Sequence, residues 1–417
     1  MEALELPPFR VDPRTRVLYR DGEVERIPPR TVEVLLALLE RRGEIVTKQE
    51  LLARVWPDTA VEEGNLSVHV SLLRRTLGDA APIETIAKRG YRIPPALASA
   101  GVSRAREHVL RGRYFWNKLS RGGLDRALEC FTRAVEADPE SAGASSGLAD
   151  TRVMQGLFGF APGRQVFEEA LGHAETAVRI DRGSPEAQAS LAFAALLVQW
   201  DWLRAETALQ AALRLAPGRA EPHLWNALLQ AMRGRFLDAL ASARKAQEID
   251  PLSIKAGVGL GFHLYLSQQH EPETAPLESV LELEPDAPVA LWGLGLALER
   301  LGRFDEALAR FRLAVELSGG SLTIESNLAH CLARAGRLAE AEALLGDLES
   351  RGLAPYRVAT VEAALGRVDR GLRALQRAFD ERDPWMVWVG VDPMLDPLRR
   401  DPAFETIVGR VLPREHR

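Results

Sequence analysis

The chain has 417 residues, a formal net charge of −5, 46% hydrophobic residues and 27% charged residues, which indicates a globular protein of more than one domain. It contains no apolar run of about 18 residues that would predict a membrane span, and its first residues lack the pattern of a secretory signal. Its two cysteines, Cys130 and Cys331, are too few and too far apart for a disulfide framework, so we expect a cytoplasmic protein.

The charge of the N-terminal quarter is balanced overall and uneven locally. Residues 1–97 hold 15 Lys+Arg and 15 Asp+Glu. Within that region, residues 65–92 carry five basic and two acidic side chains. Because screening limits the range of a charge to about 8–10 Å, a local excess is sufficient to attract an anionic partner.

Short β-prone segments come first and a helix follows. Phe9–Asp12 and Arg16–Arg20 read as strands, and Asp21-Gly22 predicts the turn to a third strand at residues 23–27. Pro28-Pro29-Arg30 begins a helix with an apolar stripe, which Gly43 ends.

Two more helices and a hairpin complete the pattern. Thr47 and Glu50 form a predicted capping box for a second helix, which reaches Trp56. We expect a third helix from about Asn65 to Leu77, with a buried face spaced by 4, 3 and 4 residues: Leu66, Val70, Leu73 and Leu77. Residues 83–86 and 91–93 then predict a hairpin around Lys88-Arg89-Gly90.

This order of sheet, three helices and basic hairpin resembles the winged-helix effector domain of OmpR/PhoB-type regulators. The segments Asn65–Asp79 and Thr85–Arg92 are most similar to its ToxR/CadC-like branch, whose members often continue into a membrane span that this sequence lacks. The resemblance implies an α+β domain over residues 1–97. It also implies that the third helix enters the DNA major groove and that the hairpin, or wing, reaches the neighbouring minor groove or its phosphates.

The resemblance and the side-chain chemistry together select the candidate DNA-binding residues. Base reading needs polar side chains, and phosphate contact needs positive charge or hydrogen-bond donors. The candidates are Trp56, Asn65, His69, Ser71, Arg74, Arg75, Thr85, Lys88, Arg89, Tyr91 and Arg92. Double-stranded DNA is the expected partner, and the family implies RNA polymerase as a second one through the loop between the second and third helices, with a dimer on DNA.

Several positions depart from the family pattern or have a structural alternative. Where better-known relatives carry arginine, this chain has Gly64, Ser71, Leu72 and Ala87. Shape readout and wing contacts are therefore favoured over guanine reading by the helix. Trp56 and His69 can equally pack against the core, and Arg74 and Arg75 can form a solvated helix face.

The remainder of the chain predicts an α-solenoid, so the fold is mainly α. Pro217, Pro251 and Pro285 are 34 residues apart, and small residues recur at fixed offsets, as in Gly302, Ala307, Phe311 and Ala314. This pattern resembles the tetratricopeptide repeat. We expect a linker at residues 98–105, about eight repeats over residues 106–384 with an irregular second repeat near residues 156–163, and a capping segment at residues 385–417.

The repeats predict a concave groove for an unknown protein or peptide. Trp200, Trp202, Trp225 and Trp292 are weak candidates for its lining, and helix packing is the alternative role for each. The sequence has no phosphate-binding loop, no zinc motif and no phosphoacceptor domain, so we predict no enzyme activity, cofactor or metal.

Three functions remain open at this level. The first is a sequence-specific transcriptional regulator whose array binds an effector or mediates self-association. The second is an interaction scaffold whose winged helix no longer binds DNA. The third is an activator similar to antibiotic-pathway regulators, which pair a similar winged helix with a shorter helical repeat domain. The array predicted here is too long and too regular for that group.

Overall fold

The computed structural model describes residues 4–6, 9–20, 22–41, 43–57, 61, 63–78, 83–86, 89–93, 104–161, 163–267 and 274–412. Within these ranges the chain is mainly helical, with two small sheets confined to the first 93 residues. No described helix is both long enough and apolar enough to cross a bilayer.

The N-terminal sheet is an antiparallel meander of four strands: β1 (Leu4–Leu6), β2 (Phe9–Asp12), β3 (Val17–Arg20) and β4 (Glu23–Glu25). The register pairs Phe9 with Arg20 and Val11 with Leu18. Gly22 has a φ of 87°, which suits the predicted turn, and Asp21 lies outside the described residues. β1 was not predicted, because three residues are too few to show an alternating pattern.

Three helices and a second sheet complete this domain: α1 (Pro29–Glu40), β5 (Val46–Thr47), α2 (Lys48–Val55), α3 (Glu63–Leu77), β6 (Glu84–Ile86) and β7 (Gly90–Arg92). The predicted capping box is present, because Glu50 N donates to the Thr47 hydroxyl and Thr47 N donates to the Glu50 carboxylate. β7 pairs with both β5 and β6. The two-residue strand β5 was not predicted, since Thr47 also serves as the helix cap.

The domain has its own hydrophobic core, formed by the inner faces of both sheets and the three helices. The predicted inner face of α3 is confirmed, since Leu66, Val70, Leu73 and Leu77 are each at most 3% exposed. Leu110, which lies beyond this domain, packs against the edge of the same core.

Eight antiparallel helix pairs follow in the described part of the chain. They are α4 (Arg104–Trp116) and α5 (Arg121–Ala137), α6 (Ala142–Leu157) and α7 (Gln165–Ile180), α8 (Pro185–Gln199) and α9 (Trp202–Leu215), α10 (Ala220–Met232) and α11 (Phe236–Ile249), α12 (Ile254–Ser267) and α13 (Ala275–Leu283), α14 (Pro288–Arg300) and α15 (Phe304–Ser318), α16 (Leu322–Arg334) and α17 (Leu338–Ser350), and α18 (Pro355–Ala364) and α19 (Val368–Asp380).

Glycines allow the paired helices to approach each other. A Cβ on Gly295 of α14 would lie 2.7 Å from the ring of Phe311 on α15, and one on Gly147 of α6 would lie 2.3 Å from the ring of Phe131 on α5. Both phenylalanines are fully buried. At these two glycines, a large side chain from the neighbouring helix therefore occupies the space that a Cβ would fill.

The array closes on itself. The residues after α6 bring the carbonyls of Leu157 and Phe158 to the start of α16, where the hydroxyls of Thr323 and Ser321 donate to them at 2.6 and 2.7 Å. After α19, two 3-10 helices (Pro384–Trp388 and Pro393–Leu398) and α20 (Pro402–Val411) complete the described chain. The indole N–H of Trp202 on α9 donates to the carbonyl of Val411 at 2.9 Å.

Candidate nucleic-acid interface

Helix α3 presents two opposite stripes. Its inner stripe packs in the domain core, as described above. Gly64, Val68, Ser71 and Arg75 have the same spacing, displaced by two residues, or about 200° around a helix of 3.6 residues per turn. These residues therefore form the outer stripe, which is the face that a groove of DNA would meet.

The first half of the outer stripe is open. Gly64, Asn65 and Val68 are exposed, and Val68 is 43% exposed. The exposed Asn65 carries an amide, which is a group that can hydrogen-bond to a base edge, and its contact with DNA stays a prediction. Val68 offers an apolar contact of the kind that a thymine methyl group accepts.

The second half of the stripe lies against the repeat array. Ser71 is 1% exposed, and its hydroxyl lies near enough to the Asp250 carboxyl to lower the pKa of that group. The Arg74 guanidinium donates at 3.1 Å to the carbonyl of Ile249, at the end of α11. An Arg75 guanidinium nitrogen lies 3.9 Å from a carboxylate oxygen of Glu284, the residue that caps α13.

Arg74 also connects α3 to the hairpin. Its guanidinium donates to the carbonyl of Ile83 at 2.7 and 2.9 Å and to the hydroxyl of Thr85 at 2.6 Å. Burial lowers the pKa of Arg74, and the Asp250 carboxylate acts in the opposite direction. The side chain is therefore engaged by protein oxygens, where the sequence predicted contact with phosphate.

Asp250 is the acidic partner in this contact. Burial raises the pKa of the Asp250 carboxyl, while the Arg74 guanidinium and the Ser71 hydroxyl oppose that shift. Arg219 lies close enough to disfavour the charge on Arg74, and it is itself ion-paired with Glu186. Asp250 and Glu284 were absent from the sequence-based site.

The hairpin leaves one described cation free for a ligand. Arg89 is exposed and makes no ion pair with any described residue, whereas Arg92 pairs with Glu84 at 2.6 Å. Thr85 is exposed. Lys88 and Ala87 lie outside the described residues. A Cβ on Gly90 would lie 2.1 Å from the carbonyl of Val46, so the close pairing of β7 with β5 requires glycine at that position.

Three of the predicted site residues are placed in or against the domain core. Tyr91 is 5% exposed, and its hydroxyl lies 3.4 Å from that of Ser67. His69 shares a hydrogen bond of 2.8 Å with Thr31, and its ring lies 5.2 Å from that of Trp56. Burial lowers the pKa of His69, which favours the uncharged ring. These positions suit side chains that hold α3 in place.

The array interior is filled mainly by its own side chains. Trp202 is 2% exposed, Trp225 packs against Phe193 at 4.6 Å, and the Trp292 indole N–H donates to Asn327 at 2.8 Å. A small pocket remains, and its lining includes five aromatic side chains together with Arg357 and Asp392. Within the described residues no cluster of three His, Cys, Asp or Glu is placed to hold a metal ion.

Known families match both parts of the chain. Residues 22–93 match the family described as "Transcriptional regulatory protein, C terminal". Residues 115–185, 191–254 and 275–321 match one tetratricopeptide-repeat family, and residues 301–352 match another. The crystal structure of yeast Tom70 aligns with 93% of this chain and 82% of its own, at 15% identity and a TM-score of 0.42.

The matching relatives are transcriptional regulators by name. CutR of Streptomyces coelicolor is 34% identical over 91 residues, which are 22% of this chain and 42% of CutR. HilA of Salmonella typhimurium is 38% identical over 98 residues, which are 22% of this chain and 18% of HilA. CadC of Escherichia coli is 28% identical over 88 residues, 20% of this chain and 17% of CadC.

The alignments thus span less than half of each of these relatives. The segment that matches the regulatory family, residues 22–93, contains β4, the three helices and the C-terminal hairpin. The chain carries at its N-terminus a winged-helix domain of the OmpR/PhoB-type transcriptional regulators, followed by an array of tetratricopeptide repeats.

Proposed function

We propose that the protein is a sequence-specific DNA-binding transcriptional regulator of the cytoplasm, and that its repeat array controls the DNA-binding domain. The main support for the proposal is the solvent exposure of the N-terminal end of α3 and of Arg89 in the hairpin. Val68 on the outer stripe and the neighbouring Asn65 are exposed, and the hairpin carries an exposed positive charge at Arg89.

In this proposal, the side chains of the winged-helix domain have different roles in DNA binding. Polar and apolar side chains on α3 would read base edges, and Arg89 with Lys88 would contact phosphates or the minor groove. Tyr91, His69 and Trp56 would hold α3 at the correct angle. The same proposal includes dimerisation on DNA and a contact with RNA polymerase through the loop between α2 and α3. Neither part of the chain calls for an enzymatic reaction.

The alternative is a scaffold in which the winged helix serves only as a protein-docking module. It is favoured by one observation, the contact of Ser71, Arg74 and Arg75 with the array. A selection from random duplex DNA separates the two functions. It is carried out with the wild-type chain and with Asp250→Asn/Glu284→Gln, because the array covers half of the stripe.

We expect one recurring motif from the selection, and we expect Lys88→Ala/Arg89→Ala to bind it more weakly. Each lost phosphate contact should flatten the plot of log affinity against log salt by about 0.9, so the double variant should lose about two units of slope. The control is Arg14→Ala, which removes an exposed arginine from the turn between β2 and β3 and should keep the wild-type slope.

Recovery of no motif by either chain would overturn the regulator in favour of the scaffold. A Lys88→Ala/Arg89→Ala slope equal to that of the wild type would instead remove the wing from the interface.

A further inference from the structure

Three successive turns of the array meet the winged-helix domain along one edge. These are residues 216–219, 250–253 and 284–287, each of which follows the second helix of a repeat. We call them the turn edge. The Thr85 carbonyl lies 3.7 Å from the position of a Cβ on Gly218. Arg74 bonds at the second turn and Arg75 faces Glu284 at the third.

The 34-residue period explains why one straight helix can touch successive turns. Pro217, Pro251 and Pro285 stand at the same place in three consecutive repeats, and stacked repeats present equivalent turns side by side. The contact between the winged-helix domain and the turn edge therefore depends on the regular spacing of the repeats. It involves several residue pairs at successive turns.

The chemistry of the turn edge resembles that of a phosphate backbone. The C-terminal end of a helix carries a partial negative charge of about one half, and α11 and α13 end there with Asp250 and Glu284 as their caps. Carbonyl and carboxylate oxygens thus face Arg74 and Arg75. DNA would offer phosphate oxygens to the same guanidinium groups.

The contact and a DNA duplex cannot share α3. Ser71 follows Val68 by three residues, or about 4.5 Å along the helix axis, while the major groove is about 12 Å wide. A groove wide enough to admit Val68 would therefore place its wall against Ser71, which is buried beside the turn that holds Asp250. Both partners also require Arg74 and Arg75.

We propose that the turn edge is an internal docking surface for α3 that competes with DNA, so that the structure described is the state closed to DNA. This inference rests on the proposed function. Opening the contact exposes Ser71 and Arg75 and releases the Arg74 bond to Ile249, while Arg74 stays bonded to Ile83 and Thr85. Any partner that binds the turn edge at residues 250–253 and 284–287 would therefore activate DNA binding.

A second contact fixes the same arrangement from the opposite side. The Arg20 guanidinium lies 5.1 Å from the centroid of the Tyr114 ring on α4, and it donates to the carbonyl of Thr76 at the end of α3. Leu110 of α4 packs on the domain core. Removing charge at the turn edge therefore weakens one of two contacts and leaves the domain attached to α4.

The test is the DNA affinity of the full chain with the turn edge neutralised. Asp250→Asn/Glu284→Gln removes the charges that face α3, and Glu248→Gln/Glu282→Gln removes two charges from the same helices at exposed positions. Affinities are compared by fluorescence anisotropy at one salt concentration. The probes are the selected duplex and a random duplex of equal length.

We expect Asp250→Asn/Glu284→Gln to bind the selected duplex about tenfold more tightly than wild type, the gain from releasing a closed state favoured about ten to one. The control variant should stay within about twofold of wild type, since exposed charges act weakly. Equal gains in the two variants would assign the effect to net charge and overturn the inference.

Unchanged affinity in Asp250→Asn/Glu284→Gln would also overturn it and leave the regulator intact. If no chain binds the selected or the random duplex, the proposed function fails as well. The failure of the closed state and the failure of DNA binding therefore give different results.

Discussion

At the scale of single residues, Arg74 shows how context changes a side chain's role. On the sequence it is one of several cations on a helix beside a basic hairpin. In the structure its guanidinium bonds with Ile83, Thr85 and Ile249 and so joins α3, β6 and the array. A group with five fixed donors suits such a junction better than lysine would.

His263 is the residue whose burial has the clearest consequence for stability. It lies on α12, is 1% exposed, and neither ring nitrogen has a hydrogen-bond partner among the described residues. Burial lowers the pKa of His263 to about 4. An unfolded chain binds a proton at this site below about pH 6.5, whereas the folded chain does so only near pH 4. Stability should therefore fall as the pH drops through this range.

Replacing His263 with leucine should remove this acid sensitivity. Between pH 7.5 and pH 5, His263 should lower the unfolding free energy of the wild type by about 2 kcal/mol. The decrease in unfolding free energy over the same pH range should be smaller in His263→Leu by that amount. Urea unfolding at the two pH values measures the difference. An equal pH-dependent loss in both proteins would show that His263 is protonated in the folded state.

At the scale of elements, the helix pair is the unit of the array. α14 and α15 meet where Gly295 leaves room for Phe311, and Ala307 and Ala314, each fully buried, lie on either side of that ring along α15. Close packing of this kind fixes the angle between the helices and, through repetition, the curvature of the array.

Phe311→Ala should destabilise the array strongly. Removal of a fully buried phenylalanine leaves a cavity that costs about 3–5 kcal/mol. Leu313→Ala on the same helix is the matched control, because Leu313 is 37% exposed and should cost about 0.5 kcal/mol or less. Urea unfolding followed by circular dichroism compares them, and similar losses would contradict the assigned packing.

Elements with a long repeating pattern could be predicted from the sequence, and contacts between distant segments could not. The inner face of α3, the capping box of α2 and the small residues of the repeats follow from local spacing. β1 and β5 are too short to show a period. The turn edge depends on Asp250 and Glu284 meeting α3 from 175 or more residues away, and no local pattern signals such a contact.

The candidate site shows the same difference between features set by local sequence and features set by distant contacts. Asn65 and Arg89 are exposed, which local sequence could predict because it defines a helix face and a hairpin tip, and their contact with DNA stays a prediction. Tyr91 is buried, because β7 lies between β5 and the Glu84–Ile86 strand and turns its ring inward. The engagement of Ser71 by Asp250 needed the whole fold.

At the scale of the whole molecule, closure of the array is the dominant feature. Hydrogen bonds from α16 to the end of α6, and from α9 to the end of α20, connect early repeats with late ones. The interior that a simple solenoid would leave as a groove is thereby largely filled. The turn edge on the outside, already engaged with α3, becomes the surface through which the array can act on DNA binding.

Hydrogen exchange of the full chain, with and without its selected duplex, measures whether the array and DNA compete for α3. If α3 binds either the array or DNA, the duplex should slow exchange at the start of α3, around residues 64–68. Exchange should become faster at the turns 250–253 and 284–287, because DNA displaces them from α3. Protection of α3 with unchanged exchange at both turns would contradict competition for one face, and no change at α3 would contradict DNA binding by that helix.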